Sequence, residues 1–156
     1  MSEQTATTDE LMLVITRDFE APINVVWSAL TDPDQAPEWW GPLGFRTPRE
    51  TIETDLEVGG RYRACMIQGE TGEKLWWSGI HTRIDPPGRL DFTHAWDNPD
   101  GTRGSETEVS IALEESDLGT RMTFIQGPFE SVESRDGHGR GWGESFDRLA
   151  AHVQAT

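Results

Sequence analysis

The order of secondary-structure signals predicts an α+β domain in which a run of antiparallel strands stands apart from its helices. Three observations carry the prediction. Strict apolar/polar alternation marks the strands, and Gly, Pro, Asn and Asp cluster between them. Apolar spacing of three to four residues is confined to a segment after the first strand and to the C-terminal end. Strands and helices segregated in this way argue for helices gathered on an antiparallel sheet rather than alternating β-α-β units.

Residues 1–10 are polar and acidic and are expected to form a disordered tail, leaving one domain over 11–156. Leu11, Leu13, Ile15 and Phe19 share one side of a strand expected over 11–19. Pro22 suits the first turn of a helix, where its missing N–H is not needed. Ile23, Val26, Trp27 and Leu30 form one face of that helix, which should stop near Thr31 because Asp32 precedes Pro33. Asp32 is expected to cap a one-turn helix, limited by Pro37 and ended by Trp39-Trp40-Gly41-Pro42.

Strands are then expected over 46–55, 61–68, 74–84, 89–96, 105–115 and 120–127. The turns between them are Val58-Gly59-Gly60, Gly69-Glu70-Thr71-Gly72, Asp85-Pro86-Pro87-Gly88, Asn98-Pro99-Asp100-Gly101 and Asp117-Leu118-Gly119. Thr107, Val109, Ile111 and Leu113 make the buried side of their strand. Trp142, Phe146, Leu149 and Val153 define one face of a terminal helix. Gly137, Gly139, Gly141 and Gly143 alternate through its first half. Each interior glycine costs up to ~1 kcal/mol relative to alanine, so the helix start is expected between Ser131 and Arg140, with loose early turns. A single amphipathic helix covers so long a sheet only if the sheet curls around it, which leaves room for a cavity between them.

Composition bounds the partners. The formal net charge is −15, which argues against nucleic acid and anionic membranes. Lys74 is the only lysine, and excess surface carboxylate speaks about solvent rather than chemistry. Cys65 is the only cysteine, so no internal disulfide forms; it reads as a small buried hydrophobe in a cytoplasmic protein. No run is long and apolar enough to span a bilayer, and the first ten residues lack the pattern of a signal peptide. No cluster with metal-ligand spacing, phosphate loop or G-x-S-x-G elbow appears, so neither metal nor cofactor is expected.

The aromatic content is the main functional clue: seven tryptophans stand beside one tyrosine, four of them in the pairs Trp39-Trp40 and Trp76-Trp77. The ordered set Ala21-Pro22, Val26-Trp27, Thr31-Asp32-Pro33, Trp39-Trp40-Gly41-Pro42, Gly59-Gly60, Gly79, Pro86-Pro87 and Gly141-Trp142 with Leu149 resembles one family. It is similar to the bacterial homologues of the Hsp90 ATPase activator, in the START-like (Bet v 1-like, polyketide cyclase) superfamily, over residues 11–154. The resemblance implies a helix-grip fold: a curved antiparallel sheet around a long C-terminal helix, with two short helices after the first strand. It also implies a cavity that takes apolar or aromatic small molecules, and it carries over no universal catalytic set. The glycine-rich stretch Gly137–Gly143 departs from the firm helix start such a fold leads one to expect.

Within that frame one ring of Trp39-Trp40 is expected to plug the core and the other to face the cavity. Trp76 and Trp77 lie on opposite sheet faces, and alternation does not say which is inside. His94 shares a strand face with Leu90, Phe92 and Trp96, and is the one candidate acid/base group, with His81 a weaker rival. His138 and His152 read as helix-surface residues, and Glu53, Asp55, Arg61 and Arg63 as solvated pairs.

The ligand-contacting set is therefore Trp40, Tyr62, Met66, His94 and Trp142, around an apolar, aromatic small molecule. A core role is the plainer alternative for most of the tryptophans, and a satisfied core histidine for His94. Two other classes stay open: a polyketide cyclase or hydrolase using a cavity histidine, and an Hsp90-activator-like co-chaperone or stress-response interaction protein. No sequence feature points to a protein partner.

Overall fold

The computed structural model describes residues 7–154. Eight strands form one antiparallel sheet: β1 Leu13–Phe19, β2 Phe45–Arg46, β3 Glu53–Thr54, β4 Arg61–Gln68, β5 Lys74–Asp85, β6 Arg89–Trp96, β7 Thr107–Ser116 and β8 Gly119–Gly127. Their order is β1-β8-β7-β6-β5-β4-β2, with β3 also paired to β4. Helix α1 covers Ile23–Thr31 and α2 covers Val132–Gln154. The sheet curls around α2 as a half-barrel, the helix-grip arrangement.

Local rules account for most boundaries. α1 begins directly after Pro22 and ends at Asp32, whose extended backbone is what the following proline demands. In β7, Thr107, Val109, Ile111 and Leu113 are all buried, as the period of two requires. β1 pairs through its whole length with residues 120–126 of β8, which carries Phe19 into the core and leaves Val14 outside.

Three expectations needed correction. The strand expected over 46–55 is broken into β2, a 3-10 turn at Arg49–Thr51 and β3, because Pro48 removes a ladder donor and redirects the chain. The turn after α1 forms at Ala36–Glu38, later than expected. Asp32 is not its N-cap; its carboxylate accepts the Asp34 N–H at 2.9 Å instead. The alternating glycines do not loosen α2, which runs unbroken from Val132. Of the tail expected over 1–10, residues 1–6 lie outside those described, and Asp9–Leu11 form a 3-10 turn.

The packed core lies between α2, α1 and the β1-β8-β7 side of the sheet. Phe19, Val26, Met122, Phe124, Phe146, Leu149 and Val153 are its buried centre. A second cluster, built on Tyr62, Ala64, Met66, Trp77 and Ile52, lines the β4-β5 side, and Trp40 touches both. Cys65 is fully buried on the opposite face of β4, where Thr51 accepts its backbone N–H. Burial pushes the thiol pKa up, which suits a packing role.

Candidate cavity site

A cavity of about 460 Å³ separates the two clusters, walled by α2, the corner after α1 and the inner face of β4 to β7. Each wall has an identifiable physical basis.

The corner Trp39-Trp40-Gly41-Pro42 is clamped by α2. Arg148 donates to the carbonyls of Trp40 (3.2 Å) and Gly41 (2.8 Å), with longer bonds to Phe45 and Pro37. Ser145 Oγ accepts the Gly41 N–H and Glu144 accepts that of Leu43. The Trp40 carbonyl also accepts the Thr47 hydroxyl at 3.0 Å, so one guanidinium and one hydroxyl together satisfy the carbonyls of this irregular corner. Trp39 turns into the core, donates to the Ala29 carbonyl at 2.9 Å and stacks on Phe146. Trp40 stands nearly perpendicular to it, at 86°, and reaches Trp77 across the cavity wall.

On the strand wall, register settles which tryptophan of the second pair points inward. Trp77 lies opposite both Ala64 and Trp96, and directly opposed residues share a face. Trp77 is therefore inside. Trp76 is outside, where the Arg63 guanidinium covers its ring at 4.1 Å while bonding to Asp97. Arg63 is thus paired with Asp97 rather than with Glu53 or Asp55. Gly79 allows a close approach at the bend of β5: a Cβ there would sit 1.9 Å from the Thr93 carbonyl oxygen. That same oxygen accepts the Tyr62 hydroxyl at 2.6 Å, so Tyr62 offers its ring to the cavity and not its polar end. Burial raises the Tyr62 pKa far above its usual value.

The helix wall consists of Ser134, Gly137, His138, Gly141, Trp142 and Ser145, one stripe of α2. Trp142 donates to Gln126 Oε1 at 2.7 Å. The Gln126 amide donates to Thr107 Oγ1 at 2.9 Å, and Thr107 in turn donates to the His94 carbonyl. This buried chain fixes the Trp142 ring against the sheet. His138 accepts the Trp96 indole N–H at Nε2, 2.9 Å, while its Nδ1 lies 2.8 Å from the Ser134 carbonyl. A donor on one nitrogen and an acceptor on the other select the Nδ1–H tautomer and use both ring positions.

His94 differs from the other histidines. It is 3 % exposed and enclosed by Trp77, Trp96, Trp142 and His138, with ring centroids between 5.2 and 6.5 Å away. Its imidazole has no hydrogen bond to another residue among those described. Burial lowers its pKa from 6.5 to about 3, reinforced by the nearby His138 and Arg103. His94 is thus a neutral, aromatic-caged imidazole. His81 also lines the cavity, but its Nδ1 is 3.2 Å from the Gly60 carbonyl; burial again lowers its pKa.

All five expected contact residues, Trp40, Tyr62, Met66, His94 and Trp142, line this cavity. Two readings change. His138 is not a surface residue but a cavity residue bonded to Trp96; its position four residues before Trp142 puts it on the same helical face, and that spacing was the available signal. His152 meets Gln35 Oε1 at 2.9 Å and is partly buried. Gln126 was missed altogether, although it continues the buried side Thr120, Met122 and Phe124 of β8.

The Activator of Hsp90 ATPase homolog 1-like protein family matches residues 20–154. This chain belongs to that family. No curated protein is matched by the chain. Among solved structures, the AHSA1 protein from Silicibacter pomeroyi is 28% identical, with a TM-score of 0.82 over 92% of this chain and 98% of that one. A protein from Arthrobacter aurescens is 27% identical, with a TM-score of 0.82 over 97% of this chain and 91% of that one. A protein from Mycobacterium smegmatis is 26% identical, with a TM-score of 0.79 over 99% of this chain and 98% of that one. These solved structures share the chain's fold over nearly its whole length. Among the described residues no helix is long and apolar enough to cross a membrane, and no group of three or more His, Cys, Asp or Glu could hold a metal ion.

Proposed function

We propose that this member of the family binds a small, apolar, aromatic molecule in the cavity between the sheet and α2. The observation that carries the reading is the lining: about 460 Å³ of space faced by Trp40, Trp77, Trp96, Trp142, Tyr62 and Phe92, with no lysine or arginine among the lining residues. A volume of this size, mostly apolar with a few polar groups, fits a small-molecule site. Burial of a flat ligand at ~25 cal/mol per Å² supplies the driving force, and fixed rings lose little freedom on binding. Leu56, 43% exposed, is a lining residue, so the cavity reaches the surface near the loop before β4.

A cyclase or hydrolase needs convergent acid and base groups. The cavity histidines supply them poorly. His138 has both nitrogens engaged, His81 has one nitrogen on a backbone carbonyl, and His94 is too weakly basic near neutrality. Asp32, the one lining carboxylate, is held by Asp34 N–H and Gln35. The co-chaperone alternative has no described surface that favours it. Titration with naphthalene and three-ring aromatic hydrocarbons, followed by tryptophan emission and melting temperature, tests the reading. Binding should quench or shift the emission and raise the melting temperature; no response from either observable across the series overturns it.

A further inference from the structure

Two features of the cavity are unexplained by packing. Gly137 and Gly141 sit in the interior of α2, where glycine is unfavourable, and both line the cavity. A Cβ on Gly141 would meet nothing within 4 Å, and one on Gly137 only the far end of Arg140 at 3.8 Å. Neither glycine is required by close contact within the protein, in contrast with Gly79. The missing side chains keep space open along the helix. The second feature faces that space. His94 is buried and lines the cavity, and among the described residues its ring bonds only to its own backbone and to no other residue, which leaves one ring nitrogen for a ligand. A buried polar group left in this way costs free energy unless something else satisfies it.

We infer that the cavity selects a planar, uncharged aromatic alcohol, whose hydroxyl hydrogen-bonds to His94 and whose ring system lies against the backbone at Gly137 and Gly141. This rests on the ligand-binding reading above and narrows it to a chemical class. A neutral imidazole has one acceptor nitrogen, to which a hydroxyl donates a hydrogen bond, whereas a hydrocarbon leaves it unpaired. A carboxylate is disfavoured, because no lining cation compensates its desolvation and His94 resists protonation. Trp77 lies nearly parallel to the imidazole, and Trp142 and Trp96 meet it edge-on, which restricts its orientation. Trp96 and Tyr62 have their own donors occupied by His138 and Thr93, so they offer ring surface and do not compete for the hydroxyl.

The test uses the full chain at neutral pH with four probes measured by calorimetry: 2-naphthol, its methyl ether 2-methoxynaphthalene, naphthalene and 2-naphthoate. The expected order places 2-naphthol about fivefold to tenfold tighter than the ether and naphthalene, the usual worth of one net hydrogen bond. Naphthoate should be weaker than 2-naphthol by more than tenfold. In His94→Phe the preference for naphthol over its ether should vanish while naphthalene still binds. In Gly141→Leu, all four probes should lose binding without a fall in melting temperature, because the new side chain fills open space and favours helix. Equal binding of naphthol, ether and naphthalene overturns the selection but leaves the cavity reading standing. Tightest binding of naphthoate, or unchanged binding in Gly141→Leu, also overturns it. Failure of all four probes removes both readings together. The comparison of naphthol with its ether on the unaltered protein decides the matter even if neither variant folds.

Discussion

The two halves of α2 share one continuous helix and do opposite things. From Phe146 onward the inner face carries Phe146, Leu149, Ala150 and Val153, all buried in the packed core. From Ser134 to Gly141 the same face carries Ser, Gly, His and Gly, and faces empty volume. Trp142 stands at the junction, stacked on Phe146 on one side and turned to His94 on the other. One backbone geometry thus supports a solid core and a void, with Phe146, Leu149 and Val153 filling the first and Gly137 and Gly141 leaving the second open. Favourable packing energy concentrated in the C-terminal half holds the helix in place for the glycine-rich half to keep its space open.

This division can be broken experimentally, starting with the packed half. Phe146 is fully buried against Trp39, Phe124 and Trp142, so Phe146→Ala should destabilise the protein by ~3–5 kcal/mol in denaturant unfolding. A loss under ~1 kcal/mol would mean that this half is not the anchor.

The next effect is on the cavity side. His94 stays neutral in the folded protein down to about pH 3, whereas the unfolded chain takes up its proton near 6.5. Stability present above 6.5 is therefore lost as pH falls towards about 3, by a few kcal/mol in all. His94→Phe should flatten the pH dependence of the unfolding midpoint within that window, and an unchanged slope would show that His94 is not the group responsible.

Arg148 ties the packed half to the aromatic corner. Arg148→Ala frees the carbonyl of Gly41 and leaves that of Trp40 to Thr47 alone, and should cost ~1.5–3 kcal/mol, with loss of near-ultraviolet dichroism from Trp39 and Trp40. Arg148→Lys should recover only part of that loss, since an ammonium cannot span the same fork of acceptors. The smallest effect belongs to the glycines. Gly141→Ala should raise stability by up to ~1 kcal/mol, because helix propensity improves and nothing is struck. A destabilised Gly141→Ala would mean that the helix backbone there is under a constraint other than open space.

The two halves were also unequally legible in the sequence. Trp142, Phe146, Leu149 and Val153 declare the packed face by spacing alone, because burial of large apolar groups leaves a periodic trace. A wall made by omission leaves none, so the glycines read as a loosened helix instead of a continuous one facing a void. His138 fell on the correct face but carried a polar side chain, and only the Trp96 indole opposite explains its place. Gln126 was hidden for the same reason: a buried amide becomes sensible once Trp142 and Thr107 are within bonding distance.

What the sequence by itself determined is what depends on neighbours along the chain. The antiparallel strands, α1, the terminal helix and the inward sides of β6 and β7 follow from alternation and helical period, since these arise from local backbone geometry. The tertiary structure alone decided that Trp77 and not Trp76 turns inward, that Arg63 pairs with Asp97, and that His94 is enclosed by aromatic rings. Those outcomes depend on cross-strand register and on how tightly the sheet curls over α2. Both are set by contacts between segments far apart in sequence, and no local period records them.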